Sequence, residues 1–72
     1  MVAAICIAPV ILGNAGLLQD KKATCWDGSH DDLVAAGAEY TGKKVTVDGN
    51  IITGNGPQSA YKFGNEVAKA LR

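Results

Sequence analysis

One short stretch of the chain combines a cysteine with the small residues that a sharp strand-to-helix turn requires. It runs from Ala4 to Pro9 and places Cys6 with an alanine two positions before it and another two positions after it. A nucleophile at the apex of such a turn needs small neighbours at these positions. The helix start would stabilise a thiolate, and the backbone N–H of Ile7 would point to where an oxyanion forms. The spacing is compatible with a reactive Cys6, although a cysteine that ends a buried strand is more often an inert core residue.

Other side chains with useful chemistry lie in the segment 25–30. We interpret Cys25 as a strand residue, and His30 is the one histidine of the chain and therefore its one imidazole base. His30 follows that strand on the side of the sheet where α/β sites gather, and the alternative is an exposed residue in the first turn of a helix. Cys6, Cys25 and His30 lack the spacing and fourth partner of a zinc site, so we predict no metal and no cofactor. Residues Gly54–Pro57 could place backbone amides near the site, and the alternative is an ordinary connection from a loop to a helix.

Length and composition indicate a small packed domain that needs support from another chain. The 72 residues are 47% hydrophobic and 19% charged, and two cysteines allow one internal disulfide at most. Association is therefore the expected support. Seven basic residues balance seven acidic ones, so nucleic acid and anionic membranes are not predicted partners.

The apolar opening of the chain, residues 2–12, differs from a signal peptide. No Lys or Arg precedes it, and Pro9 interrupts it. It is also too short to span a bilayer. We therefore expect a cytoplasmic protein whose cysteines remain thiols.

Hydrophobic periodicity predicts alternating strands and helices. The first half of the chain is predicted to form a strand at Val2–Cys6, a helix from Pro9 to Gly16 and a strand at Ala23–Trp26. A helix capped by Ser29 and Asp32 and ended by Gly37 follows, and then a hairpin of Val45–Val47 and Ile51–Thr53 around Asp48–Asn50. The final helix has an apolar stripe of Ala60, Phe63, Gly64, Val67 and Leu71. Lys69 and Arg72 suit the end of that last helix. The first helix is apolar almost all round, which predicts burial on more than one side.

This order predicts the α/β class, with a mostly parallel sheet, a β-hairpin and flanking helices. Parallel strands need helices over both faces, and these elements are too few to cover both. A sheet edge and an apolar face should remain for another chain to cover.

Several separate motifs resemble, in order and spacing, the second half of the domain shared by the ThiJ/PfpI family. This family belongs to the class I glutamine amidotransferase-like superfamily. The motifs are Val2–Pro9, Ala15–Leu18, Lys21–Trp26, Gly37–Tyr40, Val47–Thr53 and Gly56–Pro57. The resemblance implies a partial flavodoxin-like sandwich that spans residues 1–72 and forms the C-terminal half of a domain. It also implies association into dimers or larger oligomers, and it makes Cys6 the nucleophile and Ile7 the oxyanion-hole amide.

The departures from the family pattern concern the catalytic base. Many relatives place His directly after the cysteine, where this chain has Ile7, and others place His where this chain has Trp26. Neither residue accepts a proton, so a charge-relay peptidase is poorly supported. The family also uses a glutamate from an early strand, which is absent from these residues.

Two hypotheses from different classes follow. The first is a cysteine-dependent deglycase, glyoxalase or hydrolase, acting on a small dicarbonyl or glycated substrate and completed by an N-terminal half. The second is a noncatalytic oligomeric module for stress response or redox sensing, in which Cys6 is oxidised or packed. The fold alone does not decide between them.

Overall fold

The structure is a computed structural model that describes residues 1–71. Its strands are β1 (Val2–Ile5), β2 (Lys22–Ala23), β3 (Glu39–Tyr40), β4 (Val45–Asp48) and β5 (Ile51–Gly54). Its helices are α1 (Ala8–Asn14), α2 (His30–Ala35) and α3 (Ala60–Ala70), and single 3-10 turns at Asp27–Ser29 and Pro57–Ser59 precede α2 and α3. The predicted alternation of strands and helices is confirmed. Periodicity does not predict β3, because a two-residue strand is too short to show alternation.

The strands form two small sheets. In the larger sheet β5 lies between β1 and β4, with the order β1-β5-β4, while β2 pairs with β3 in the smaller one. β1 runs parallel to β5 and brings Ile5 opposite Gly54, β2 runs parallel to β3, and β4 runs antiparallel to β5. The prediction of a mostly parallel α/β arrangement with one hairpin is therefore confirmed.

The hairpin of β4 and β5 turns through two residues, Gly49 and Asn50. Asp48 and Ile51 are the last pair of the ladder, and Gly49 has a φ of 60°. A two-residue turn with a positive φ at its first position suits glycine and matches the twist of the strands. Asp48, Gly49 and Asn50 thus form the turn that the sequence predicts.

The two faces of β5 contact different parts of the molecule. Ile51 belongs to the core cluster, and the Thr24 N–H donates to Thr53 Oγ1 over 2.9 Å on that same face. The cluster joins β2, α2 and the loops beside them and consists of Leu18, Ala23, Cys25, Leu33, Ala38 and Ile51. On the opposite face Phe63 of α3 lies against Gly54. The sheet therefore has α1 and α2 on one side and α3 on the other.

Two local predictions are wrong. The strand predicted for Ala23–Trp26 stops at Ala23, because the Thr24 and Trp26 amides bond outside the β2–β3 ladder, to Thr53 Oγ1 and to the Cys6 carbonyl. Ser29 precedes α2 but makes no capping hydrogen bond with its side chain. Its own N–H instead closes a 3-10 turn onto the Trp26 carbonyl at 2.8 Å, which holds Ser29 in the preceding turn.

The outer helices bury little of their apolar surface. Ile11 of α1 is 68% exposed and Leu71 after α3 is 70% exposed, whereas Phe63 and Val67 of the predicted stripe are half-buried. Burial of α1 on more than one side is thus not achieved within residues 1–71. Lys69 lies in the last turn of α3 as predicted, and Arg72 lies outside the described residues. None of the helices formed by residues 1–71 is long and apolar enough to cross a membrane.

Candidate active site

Cys6 lies at the junction of β1 and α1 in a backbone conformation that residues other than glycine rarely adopt. Its φ is 67°, which is the left-handed region. For residues other than glycine this region costs on the order of 1–2 kcal/mol, because Cβ approaches the carbonyl oxygen. Such strain persists only where surrounding contacts hold it, and it is frequent at functional sites. The thiol of this strained residue is partly exposed.

Two backbone hydrogen bonds hold Cys6 from opposite sides. The Cys6 N–H donates to the Gly54 carbonyl at 2.9 Å and continues the parallel ladder between β1 and β5. The Cys6 carbonyl accepts from the Trp26 N–H at 2.7 Å. Both peptide groups of the residue are therefore fixed by segments distant in sequence.

Gly54 allows β5 to approach this turn closely. A Cβ at this position would lie 3.0 Å from Ile5 Cγ1 and 3.1 Å from Phe63 Cδ1. These separations are shorter than ordinary van der Waals contact. A side chain here would push α3 or β1 away from the strand that holds the Cys6 N–H.

Ile7 directly follows Cys6 and is the N-cap residue of α1. Its carbonyl accepts from the Val10 N–H at 3.0 Å and begins the winding of α1, while its own N–H has no acceptor among residues 1–71. The Ile7 side chain is 54% exposed. An unpaired donor next to a nucleophile is the arrangement that stabilises an oxyanion.

Two amides of the loop after β5, those of Asn55 and Gly56, are already paired. The Asn55 N–H donates to the Lys44 carbonyl at 2.9 Å, and the Gly56 N–H donates to Ser59 Oγ at 3.3 Å. Ser59 Oγ in turn donates to Asn55 Oδ1 at 2.7 Å. The Asn55 amide is thus paired with the residue before β4, and the Gly56 amide is paired within its own loop.

Cys25 is a buried and separate thiol. No disulfide joins it to Cys6, and its Sγ donates to the Trp26 carbonyl at 3.2 Å. Burial raises the pKa of the Cys25 thiol from 9.0 to about 11, and the nearby Asp27 and Asp32 carboxylates add to the shift. A thiol with this pKa is a weak nucleophile at neutral pH.

His30 is the first residue of α2 and is directed toward a neighbouring aromatic ring. Its imidazole stacks on Tyr40 with ring centroids 4.1 Å apart and an interplanar angle of 21°. The Tyr40 hydroxyl donates to Asp27 Oδ1 at 2.7 Å. No hydrogen bond joins His30 to Cys6 within the part of the chain that the structure describes. Its role as a base stays a prediction.

Trp26 contributes its backbone to the site, and its ring lies nearby on the surface. The ring packs on Gly28, where any Cβ would overlap it, and it remains 48% exposed. Sequence reasoning did not find the hydrogen bond from the Trp26 N–H to Cys6. The one sequence feature related to this hydrogen bond is a predicted strand that ends at Trp26 and is followed by Asp27 and Gly28, which does not indicate a bonding partner.

Two surface cavities, of about 240 and 420 Å³, are lined by residues of the hairpin, α3 and β3, and Cys6 lines neither. Among residues 1–71 no three His, Cys, Asp or Glu side chains are grouped to hold a metal ion.

The sequence model of the DJ-1/PfpI family matches residues 1–70. The chain belongs to the DJ-1/PfpI family. Two curated relatives in this family are an uncharacterized protein of Methanocaldococcus jannaschii, 47% identical over 73 residues, and Deglycase PfpI of Pyrococcus furiosus, 39% identical over 71 residues. Both alignments cover 99% of this chain. The resemblance noted in the sequence is confirmed.

Solved structures give the same result for the fold. The crystal structure of a ThiJ/PfpI domain protein from Brachyspira murdochii matches with a TM-score of 0.96 at 35% identity, covering 99% of this chain and 41% of that one. The chain spans 36% and 43% of the two curated relatives. Residues 1–71 thus have the α/β architecture of part of a DJ-1/PfpI domain, the partial flavodoxin-like fold that the sequence predicts.

Proposed function

We propose that the protein is a cysteine-dependent enzyme that acts on small dicarbonyl compounds or on their adducts with amines, as a deglycase, glyoxalase or hydrolase. One observation carries the proposal: Cys6 is held at a φ of 67° where β1 turns into α1, next to the unpaired N–H of Ile7. A strained nucleophile and a fixed donor suit addition to a carbonyl group. The relative named Deglycase PfpI supports this reaction class.

The first chemical step follows from these two groups. The Cys6 thiolate attacks the carbonyl carbon, so that a C–S bond forms and the carbonyl π electrons move to oxygen. The Ile7 N–H donates to the resulting oxyanion. In other enzymes the loss of one such donor lowers kcat by about 10²–10³, and we expect a contribution of this size from the Ile7 amide.

A proton donor is needed for the remaining steps. Cleavage of an adduct breaks its C–N bond, and the leaving amine takes up a proton as the electron pair moves to nitrogen. Water then adds to the carbon bound to Cys6, and the C–S bond breaks to return the thiolate. Ile7 and Trp26 occupy the two positions where relatives resembling this chain carry histidine, and His30 stacks on Tyr40. We therefore assign the acid to polypeptide outside these residues. His30 becomes the candidate only if the chain alone is active.

The free edge of β1 supports this assignment. β1 pairs with β5 on one side, and no other strand of residues 1–71 pairs with its opposite side. Unpaired backbone groups at a sheet edge favour the addition of a further strand. We propose that a strand of an N-terminal half pairs here, supplies the acid beside Cys6, and makes residues 1–72 the C-terminal half of one domain.

Methylglyoxal consumption tests the proposal in the chain alone and with the added N-terminal half of a close relative. We expect absent or very weak turnover by the chain alone, because positioned acid–base groups contribute about 10²–10⁴ in rate. We expect a gain with the added half, lost in Cys6→Ala and retained in Cys25→Ala, the matched control thiol. Activity that survives Cys6→Ala would show that another group performs the reaction.

A further inference from the structure

A side-chain hydrogen bond lies directly beside the residue that holds the Cys6 carbonyl. The Tyr40 hydroxyl donates to Asp27 Oδ1 at 2.7 Å, and Asp27 is the neighbour of Trp26 in sequence. This hydrogen bond raises the pKa of Tyr40 from 10.0 to about 12, with desolvation as the second cause. The phenol therefore remains a donor across the physiological range.

Tyr40 is itself well fixed. It belongs to β3, where it lies opposite Ala23 of β2 in the parallel ladder, and the next residue, Thr41, donates its N–H to the Ala23 carbonyl at 2.9 Å. Its ring packs against the core cluster on one side and stacks with His30. These contacts fix the position of the Tyr40 ring and therefore of its hydroxyl group.

The segment that Tyr40 contacts is a short turn with two exposed side chains. Residues 26–29 form a single 3-10 turn closed by the 2.8 Å bond from the Ser29 N–H to the Trp26 carbonyl. The rings and carboxylate of the turn, from Trp26 and Asp27, lie at the surface. Turns with exposed backbone bonds open more readily than the strands beside them. The Asp27 side chain is the point where this turn is attached to β3.

We propose that Tyr40 is a positioning residue for the Cys6 turn, acting through its hydrogen bond to Asp27. The path has three links: the Tyr40 hydroxyl holds Asp27, Asp27 fixes the adjoining Trp26 peptide, and the Trp26 N–H holds the Cys6 carbonyl. Because Cys6 is strained, its conformation depends on this support. The significance of the path for catalysis rests on the proposed function, whereas the path itself is testable without substrate.

Amide hydrogen exchange of Trp26 measures the proposed path. Tyr40→Phe and Asp27→Ala should each accelerate exchange of the Trp26 N–H about fivefold, the change expected from loss of one side-chain hydrogen bond of ordinary strength. The amides of the β4–β5 hairpin should keep their rates. Asp27→Asn retains an oxygen acceptor and should stay close to the parent rate. Tyr61→Phe is the matched control, since Tyr61 is 84% exposed.

Each outcome decides the proposal. Selective acceleration at Trp26, with rescue by Asp27→Asn, supports it. Equal acceleration at Trp26 and in the hairpin would mean that Tyr40 serves global stability alone, and unchanged exchange at Trp26 would mean that the path does not exist. An Asp27→Asn variant as fast as Asp27→Ala would also overturn it. None of these results depends on whether the protein consumes a dicarbonyl.

Discussion

The Trp26 N–H and the Cys6 carbonyl are joined by a 2.7 Å hydrogen bond, although the two residues are far apart in sequence. Together with the 2.9 Å bond from the Cys6 N–H to Gly54, it keeps Cys6 at a φ of 67°. The conformation that exposes the thiol is thus maintained by tertiary contacts against its local cost. A substitution that relieves the backbone strain at Cys6 should raise the free energy of unfolding. A substitution that disturbs the contacts around Cys6 should lower it.

Cys6→Gly should be more stable than Cys6→Ala by about 1 kcal/mol, because glycine adopts a positive φ without the Cβ clash. Both variants lack the thiol, so their difference isolates the backbone term. Urea unfolding of the two proteins measures it. At an ordinary φ the order would reverse, since glycine then destabilises relative to alanine.

Gly54→Ala should destabilise the protein by about 1–3 kcal/mol, the usual cost of overpacking. The added methyl group would meet Ile5 and Phe63 at 3.0–3.2 Å, where β5 supports the Cys6 N–H. Gly64→Ala is the control, because Gly64 lies within α3 with open space around it. That change should stabilise by about 0.5–1 kcal/mol. Equal effects of the two substitutions on the urea midpoint would contradict the close approach at Gly54.

The sequence predicts local features of the fold and of the site better than contacts between distant segments. Cys6 between Ala4 and Ala8, and the turn at Gly49, depend on neighbouring residues, so spacing and turn chemistry reveal them. The hydrogen bond from Trp26 joins separate segments and leaves no periodic signal. Ser29 shows the limit of local patterns: its capping sequence is present, but the preceding 3-10 turn keeps its side chain from capping α2.

Stability should fall at alkaline pH partly because of Cys25. Its folded pKa is raised from 9.0 to about 11, chiefly by burial. The neutral, buried Cys25 thiol therefore contributes fully to the stability of the folded state below pH 9, and this contribution is lost as the pH rises through 11. A shift of this size corresponds to a loss on the order of 2 kcal/mol. Urea unfolding between these pH values should show a flatter dependence in Cys25→Ala; an identical dependence would mean that Cys25 titrates normally.

The chain of 72 residues alone should not be a folded monomer in dilute solution. β1 leaves one edge unpaired among residues 1–71, and Ile11 and Leu71 are mostly exposed. A domain of about this size buries only about 60% of the surface of its unfolded chain, so its stability is marginal. Sedimentation should show association into dimers or larger oligomers, and amide protection should weaken on dilution. A compact monomer with strongly protected strands would argue against the need for a partner.

The reactivity of the two thiols tests the central claim that Cys6 is the active nucleophile. Brief alkylation of the native protein near pH 8, followed by mass spectrometry of its peptides, gives the ratio of modified Cys6 to modified Cys25. Cys6 should react several times faster, because it is partly exposed at the turn while Cys25 is buried with a pKa of about 11. Equal labelling of the two thiols, or preferential labelling of Cys25, would contradict the assignment of Cys6 as the nucleophile.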